Sequence, residues 1–294
     1  MPKDNIDAQT TIDKEVTLEG IGLHTGNASI LTFRPAPANT GIRFFRPDLP
    51  DCPVIPARLG FVVATVRGTN IGLNEARIHT VEHVLSALTG IGIDNCDILV
   101  TANEPPIMDG SALPFFKALM GAGLRRYPNE PKRYLVIPEE ITYEDKGSFY
   151  RARPAENFEV DATLIHDHPL VPRVEMTITV DTKSYATELA PARTFCFEHE
   201  IAFLKSQGLA QGGSLENAIV IGREEIHTNA EGLRYKDEFV RHKVLDLIGD
   251  LTLIGRSLFK MHIEAVRPGH AHNIEFAKLL NQSAIKMRGR NPVG

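Results

Sequence analysis

The stretch from Asp237 to Asp250 contains the residues whose types and spacing most directly indicate chemistry. Apolar residues recur there at intervals of three and four, which predicts a helix from about Asp237 to Arg256. His242, Asp246 and Asp250 are each four residues apart, so they would lie along one face of that helix. An imidazole and a carboxylate one turn apart can supply two ligands of a Zn²⁺ site, and the others must come from elsewhere. A partly buried His–Asp pair that stabilises the helix would show the same spacing.

The first half of the chain carries a second pattern, His79-Thr-Val-Glu-His83. A glutamate next to a histidine ligand can take a proton from a water that the metal holds, without binding the metal itself. Glu82 would be that base. The metal ligands would be His83, His242 and Asp246, which leave one coordination position open, as in catalytic zinc sites.

A candidate acid lies near the C-terminus, where His270 follows a Pro-Gly break. Its imidazole could protonate a leaving group. Asp250, one helical turn beyond Asp246, could orient that imidazole and stabilise its cationic form. The pattern therefore predicts a hydrolytic site with one metal, one base and one acid.

Two other interpretations explain part of the same pattern. Residues 79–83 match the H-x-x-E-H pattern of inverzincin peptidases, in which His79 and His83 would both bind the metal and Glu159 would be the downstream ligand. That interpretation does not explain why His242, Asp246 and Asp250 share one helix face, and it gives no role to His270. Alternatively, all these groups are surface residues or paired structural residues.

The composition restricts the class of protein. Of the 294 residues, 43% are hydrophobic and 23% are charged, as in a soluble globular protein with a real core. A net charge of −5 argues against a nucleic-acid-binding protein, and no apolar run is long enough to make this an integral membrane protein. We expect no secretory signal, and the scattered Cys52, Cys96 and Cys196 indicate free thiols in a reducing cytoplasm.

Short, mixed elements predict an α+β fold in two domains, with no visible internal repeat. Residues 1–126 would form an N-terminal domain that carries Glu82 and His83, residues 127–133 a linker, and residues 134–294 a C-terminal domain. Other predicted elements, with approximate bounds, are strands at 16–18, 28–33, 96–100, 134–137, 148–153, 158–164, 218–221 and 259–266, and helices at 79–89, 115–120, 198–207 and 273–287.

Several motifs, taken together, resemble the UDP-3-O-acyl-N-acetylglucosamine deacetylase family, the zinc enzymes of the committed step of lipid A synthesis in Gram-negative bacteria. The resemblance covers nearly the whole chain, in the family's order. The motifs are Gly22-Leu-His-Thr-Gly26, Thr80-Val-Glu-His83, Pro106-Ile-Met-Asp-Gly-Ser111, Ala192-Arg-Thr-Phe195, Gly212-Gly-Ser214, Asp237-Glu-Phe-Val-Arg-His-Lys243, Leu245-Asp246, Gly249-Asp250 and Gly269-His-Ala271.

The resemblance implies hydrolytic removal of the N-acetyl group from UDP-3-O-(3-hydroxyacyl)-N-acetylglucosamine in the cytoplasm, with release of acetate. The partner would be this small molecule, and we expect a monomer. Zinc would be the cofactor, although Fe²⁺ suits the same ligands. The implied roles are zinc binding by His83, His242 and Asp246, general base for Glu82, general acid for His270 with Asp250 behind it, and oxyanion stabilisation by Thr194.

The resemblance also implies a fold and a substrate site. Each domain would be a β-sheet with a pair of helices, and the helices would be sandwiched between the two sheets. Implied or candidate substrate-binding residues are Lys243, Arg267 for the nucleotide phosphates, His24 in the glycine-rich loop, and a passage for the acyl chain lined by Phe195, Ile201, Gly213, Ser214, Ala218 and Val220. His79 replaces a small polar residue of other members, and His166 lies where some members stack an aromatic ring on the uracil.

Overall fold

Short strands and helices alternate along the chain, which confirms the predicted α+β class. The computed structural model describes residues 8–258 and 260–290, and only the backbone of residues 285–290. The strands are β1 Ala8–Ile12, β2 Val16–Ile21, β3 Ala28–Pro35, β4 Ile42–Phe45, β5 Val54–Pro56, β6 Val62–Ala64, β7 Asn70–Leu73, β8 Ala76–Ile78, β9 Cys96–Val100, β10 Leu124–Pro131, β11 Ile141–Asp145, β12 Ser148–Pro154, β13 Glu159–Leu164, β14 Val174–Thr179, β15 Phe195–Phe197, β16 Ile219–Ile221, β17 Ile226–His227 and β18 Met261–Val266. The helices are α1 Glu82–Ile91, α2 Leu113–Gly121, α3 Thr182–Ser184, α4 Glu198–Ser206, α5 Glu238–Thr252 and α6 His270–Arg290.

The two halves of the chain repeat one arrangement of strands, which the sequence does not reveal. The sheet of the first half has the order β2-β3-β9-β4-β5, and that of the second half has the order β11-β12-β18-β13-β14. In each sheet the last strand along the chain lies in the centre, antiparallel to one neighbour and parallel to the other. A small inserted sheet precedes the next long helix in both halves: β6-β7-β8 before α1, and β15-β16-β17 before α5.

The helices of the two halves pack against each other between the sheets. α1 contacts α5 and α2, and α5 also contacts α6. On the outer sides, α2 lies against β2, and α5 lies against β13 and β14. The helix interface is apolar and fully buried at Val84, Leu85, Leu88, Val244, Leu247, Ile248 and Leu251. This arrangement is the one that the family resemblance implies.

The crossing of α1 and α5 depends on a glycine. A Cβ atom on Gly249 would overlap the backbone carbonyl group of Glu82. Glycine lacks this atom, so the first turn of α1 can lie directly against the C-terminal part of α5. Further along the same pair of helices, the hydroxyl oxygens of Thr89 and Thr252 are 2.6 Å apart. The crossing therefore brings residues near both ends of α1 against α5.

Some local predictions differ from the structure. The helix predicted from His79 begins at Glu82, because Thr80 has a φ of 54°, which interrupts a helical backbone. Residues 127–131 of the predicted linker lie in β10, which pairs with β1. The strand predicted at 134–137 is reduced, in the described part of the chain, to one bridge between Tyr134 and Ser257. Phe259 and the outer ends of the predicted domains, residues 1–7 and 291–294, lie outside the described residues.

Gly249→Ala should destabilise the protein, although alanine is the better helix former. Overpacking against the Glu82 backbone costs about 1–3 kcal/mol, and alanine contributes roughly 1 kcal/mol in a helix. The free energy of unfolding, measured by urea denaturation, should fall. Gly121→Ala in α2 is the control, because a Cβ there meets nothing within 4 Å. It should leave the free energy of unfolding unchanged or raise it; an equal response of both variants would contradict the close approach.

Candidate metal and active site

Six ionisable side chains from both halves of the chain meet where the start of α1 crosses α5. They form two groups that could each hold a metal ion: His83, His242 and Asp246 in one, and Glu82, Asp250 and His270 in the other. All are buried except His270, which is slightly exposed. The i, i+4 spacing on α5 places its three members along one face, as predicted.

The first group has the separations expected of metal ligands. Asp246 Oδ1 lies 3.3 Å from His242 Nε2 and 3.7 Å from His83 Nε2. Two ligand atoms bound to one tetrahedral Zn²⁺ would be about 3.4 Å apart. His242 Nδ1 donates to the carbonyl oxygen of Ala192 at 3.1 Å, so its Nε2 carries the free lone pair. The sequence-predicted ligands therefore converge in space.

The protonation states of this group also suit a cation. Burial lowers the pKa of His83 to about 4 and that of His242 to about 3, so both imidazoles are neutral at pH 7. Burial opposes ionisation of Asp246, but His242 and Lys243 outweigh it and hold the pKa of this carboxyl below its usual range. Asp246 Oδ1 is buried and has no hydrogen-bond donor. An unpaired buried carboxylate oxygen is costly, and a metal ion at this point would satisfy it.

In the second group, carboxylate oxygens already accept hydrogen bonds from protein donors. Asp250 Oδ2 accepts hydrogen bonds from His270 Nδ1 at 2.9 Å and from Asn273 Nδ2 at 2.8 Å, and Asp250 Oδ1 accepts from the hydroxyl of Thr69. The backbone N–H of Thr69 donates to Glu82 Oε2 at 2.9 Å. These oxygens need no cation, so the group is better suited to holding protons than to holding a metal.

Glu82 and His270 form an acid–base pair. His270 Nε2 lies 3.8 Å from Glu82 Oε1 and 3.8 Å from Asp246 Oδ2. Burial, with Asp250 and Asp246, raises the pKa of Glu82 to about 8, although His270 opposes this. For His270, burial lowers the pKa, but Asp250 and Glu82 outweigh it and raise the value to about 9. Both groups can therefore exchange protons near neutral pH.

The segment Ala192–Phe195 connects α5 to the cavities. Ala192 orients His242 through its carbonyl oxygen, and the buried Arg193 pairs with Glu238 in the first turn of α5 at 2.8 Å. The next two residues, Thr194 and Phe195, line a cavity of about 190 Å³, whose wall also includes the first group and the pair of Glu82 and His270. The motif thus fixes the start of α5 and forms part of the cavity wall.

Lys243 also lines this cavity, but it is paired. Its Nζ donates to Asp246 Oδ2 at 2.7 Å and lies 5.2 Å from the centre of the Phe195 ring. Lys243 therefore contacts a candidate metal ligand directly, as its spacing of three residues from Asp246 on a helix allows.

The residues predicted for the acyl passage line one cavity. Its volume is about 230 Å³, Thr194 lines it, and residues of α4 form one side of its wall. His24 lines it as well, with Nε2 3.1 Å from the carbonyl oxygen of Arg67. The predicted passage residues in its wall are Phe195, Ile201, Gly213, Ser214, Ala218 and Val220.

A third cavity, of about 390 Å³, contains His166, whose ring centre lies 5.1 Å from that of Phe197. Burial lowers the pKa of His166, and the charges of Lys243 and Arg267 lower it further. Arg267 is not among the described residues that line these three cavities. Its backbone N–H donates to the Thr163 carbonyl oxygen at 2.8 Å. The structure thus brings Arg267 near His166 but not into the predicted substrate site.

The peptidase interpretation does not agree with the geometry. His79 precedes α1, and its backbone N–H donates to the Asn103 carbonyl oxygen. Glu159 lies in β13, opposite Thr179. Among the described residues, neither belongs to a group that could hold a metal. The H-x-x-E-H pattern is therefore accidental here.

Three residues contribute to the site although the sequence analysis does not name them. Thr69 lies in the short connection between β6 and β7, and nothing in its neighbourhood indicates a bond to Asp250. Arg67 lines all three cavities and pairs with Glu200 of α4. Asn273 follows His270 by three residues on α6, a helical spacing that could have identified it.

Comparisons with known proteins identify the family of the chain. The family model for UDP-3-O-acyl N-acetylglycosamine deacetylase (LpxC) matches residues 9–282. A UDP-3-O-acyl-N-acetylglucosamine deacetylase of Anaeromyxobacter sp. (strain Fw109-5) is 47% identical over 265 residues, 90% of this chain and 86% of the relative. One from Oleidesulfovibrio alaskensis is 43% identical over 274 residues, 93% of this chain and 89% of the relative. The bifunctional enzyme LpxC/FabZ of Chlorobaculum tepidum is 41% identical over 304 residues, 94% of this chain and 64% of that protein. The chain belongs to the UDP-3-O-acyl-N-acetylglucosamine deacetylase family.

Proposed function

We propose that the chain is a metal-dependent amidase that hydrolyses the N-acetyl group of UDP-3-O-acyl-N-acetylglucosamine and releases acetate. The observation that carries this proposal is a single cavity in which a metal-competent group and a proton-exchanging pair lie side by side. The names of the related enzymes support this substrate class. The adjoining apolar cavity offers a place for the acyl chain.

The proposed metal is Zn²⁺, held by His83, His242 and Asp246, with Fe²⁺ as the alternative for the same ligands. When bound, such an ion would supply Lewis acidity for the acetyl carbonyl group and lower the pKa of water. His242 is kept in the ligating tautomer by its bond to Ala192. Lys243 balances the charge of Asp246 at its second oxygen.

Glu82 and His270 divide the proton transfers in this mechanism. Glu82 accepts a proton from the water whose oxygen attacks the acetyl carbon. His270 donates a proton from Nε2 to the amide nitrogen as the carbon–nitrogen bond breaks, so the products are acetate and the free amine. Asp250 holds His270 through Nδ1 and stabilises its cationic form.

Two cavity residues complete the proposed site. The Thr194 hydroxyl would donate to the oxygen that gains negative charge during the attack. The acyl chain would lie in the passage beside α4, and the nucleotide on the side of His166. Arg267, which lines none of the three cavities described, would act on the nucleotide phosphates from outside them.

The proposed setting is lipid A biosynthesis in the cytoplasm, where the chain would act as a monomer on a small-molecule substrate. Within the described residues, each helix is too short or too polar to cross a bilayer. Cys52, Cys96 and Cys196 are free thiols, in keeping with a reducing compartment.

Replacement of a proposed ligand should abolish metal binding. The purified wild type should contain about one divalent ion per chain, and His242→Ala should contain almost none, because two ligands cannot complete the site. The measurement is metal analysis by mass spectrometry. His79→Ala is the matched control, since the peptidase interpretation makes it a ligand, and it should keep its metal. Loss of metal from the His79 variant with retention in the His242 variant would refute the ligand assignment.

Glu82→Gln should remove turnover and leave binding. The amide has the shape of the carboxylate but cannot take a proton, so kcat should fall about 10²- to 10⁴-fold. Metal content and KM should stay close to those of the wild type. The assay follows acetate release from UDP-3-O-acyl-N-acetylglucosamine. A variant with unchanged kcat would rule out Glu82 as the base.

Asp250→Asn should displace the pH–rate profile. We expect the rate of the wild type to depend on pH with a bell-shaped curve. Ionisation of Glu82 would set its acidic limb, and ionisation of His270 its basic limb. The Asp250 carboxylate raises both pKa values, so its neutralisation should move both limbs to lower pH. The basic limb should move further, by roughly one unit or more, because Asp250 bonds to His270 directly. Limbs that stay in place while the rate falls would assign Asp250 a purely structural role.

A further inference from the structure

Glu104 is a buried carboxylate that the proposed mechanism does not use. It follows β9, and only 1% of the residue is exposed to solvent. Its oxygens accept from the backbone N–H of His24 at 3.1 Å, from the backbone N–H and the hydroxyl of Thr25 at 2.8 and 2.9 Å, and from the hydroxyl of Thr80 at 2.8 Å. Each of these donors is neutral, so oriented dipoles stabilise the carboxylate. Glu104 therefore ties two separate segments of the first half to one point.

The first of these segments is the glycine-rich loop, residues 22–26, which links β2 to β3. A Cβ atom on Gly22 would lie 2.4 Å from Glu104 Oε2. Because glycine lacks this atom, the carboxylate can come close enough to the loop to bond to its N–H groups. Glu104 thus fixes the backbone conformation of the loop.

The glycine-rich loop is bonded in turn to the second half of the chain. The carbonyl oxygen of Leu23 accepts from the backbone N–H of Gly212 at 3.0 Å. That of His24 accepts from the backbone N–H of Gln211 at 3.1 Å. Leu23 and His24 line the cavity of the predicted acyl passage, and Leu23 also lines the cavity beside the metal-competent group. The position of the loop therefore shapes part of both cavities.

The second segment contains Thr80, which lies just before the helix that carries the proposed base. Thr80 has a φ of 54°, which is unfavourable for a β-branched residue. Such a conformation persists where several contacts hold it. Here the Thr80 hydroxyl is held by Glu104, and its backbone N–H donates to Asn70 Oδ1 at 3.1 Å. Glu104 therefore helps to hold the turn from which Glu82 and His83 enter the cavity at the start of α1.

We propose that Glu104 is a positioning residue of the deacetylase site, which holds the glycine-rich loop and the start of α1 in one fixed relation. Its contacts with the loop would set the fit of the acyl chain, and its contact with Thr80 would set the position of Glu82. A glutamine could not replace it, because the NH₂ group of the amide cannot accept from the donors on one of these sides. This inference rests on the proposed function, since it concerns acyl-chain binding and proton transfer in that reaction.

Glu104→Gln should impair catalysis and acyl-chain binding together. In the metal-loaded protein, kcat should fall roughly ten- to hundredfold, because the base is displaced from its productive position. KM for a substrate with a long 3-O-acyl chain should rise about three- to tenfold, and KM for one with a short chain should change less. The matched control is Glu175→Gln, an exposed glutamate that pairs with Arg173, and it should leave all three constants unchanged.

Threonine variants separate the two effects. Thr80→Val keeps the shape of the side chain but removes the hydroxyl donor, so kcat should fall with little change in KM. Thr80→Ser keeps the hydroxyl and should recover most of kcat. Thr25→Val removes a donor on the side of the loop, so KM for the long-chain substrate should rise while kcat stays close to that of the wild type. If Glu104→Gln does not fold, these threonine variants decide.

Amide hydrogen exchange gives a measurement that does not require turnover. In Glu104→Gln, the backbone amides of His24 and Thr25 should exchange faster than in the wild type, because they lose a charged acceptor. Unchanged exchange at both amides would overturn the inference. Wild-type kcat and KM in Glu104→Gln, or equal losses of kcat in Thr80→Ser and Thr80→Val, would also overturn it. An inactive wild type together with faster exchange in the variant would contradict the proposed deacetylase function and confirm that Glu104 anchors the loop.

Discussion

The close crossing of α1 and α5 is the constraint on which the site depends. Gly249 removes the one atom that would separate α5 from the Glu82 backbone, and six ionisable side chains become buried together as a result. Burying charged groups is unfavourable unless they are paired, protonated or bound to a metal. The apolar contacts of the helix pair must therefore be strong enough to hold groups that would otherwise move into water.

The two groups resolve this cost in different ways. Asp250 is surrounded by protein donors, so the second group is complete without any cation. Asp246 instead leaves one oxygen without a donor, facing two neutral imidazoles. The same helix thus carries a proton site and a metal-competent site one turn apart. This separation allows acid–base residues to remain titratable beside a cation, which a single shared cluster would not allow.

Sequence reasoning was strongest where the signal is local. The spacing of His242, Asp246 and Asp250 requires only helical geometry, and the structure has it. The family resemblance supplied what spacing cannot, such as the shared cavity of Ile201 and Val220. The role of Thr69 cannot be predicted from the sequence, because its hydrogen bond to Asp250 joins residues 181 positions apart and no sequence pattern marks it. The repeated strand order was missed because the two halves share topology rather than visible sequence.

Anomalous diffraction at the zinc absorption edge, from crystals grown with Zn²⁺, would locate the metal between the two helices. We predict one strong peak per chain, within bonding distance of His83 Nε2, His242 Nε2 and Asp246 Oδ1. A peak on the group of Glu82, Asp250 and His270, or no ordered peak between the two helices, would contradict the proposed metal site.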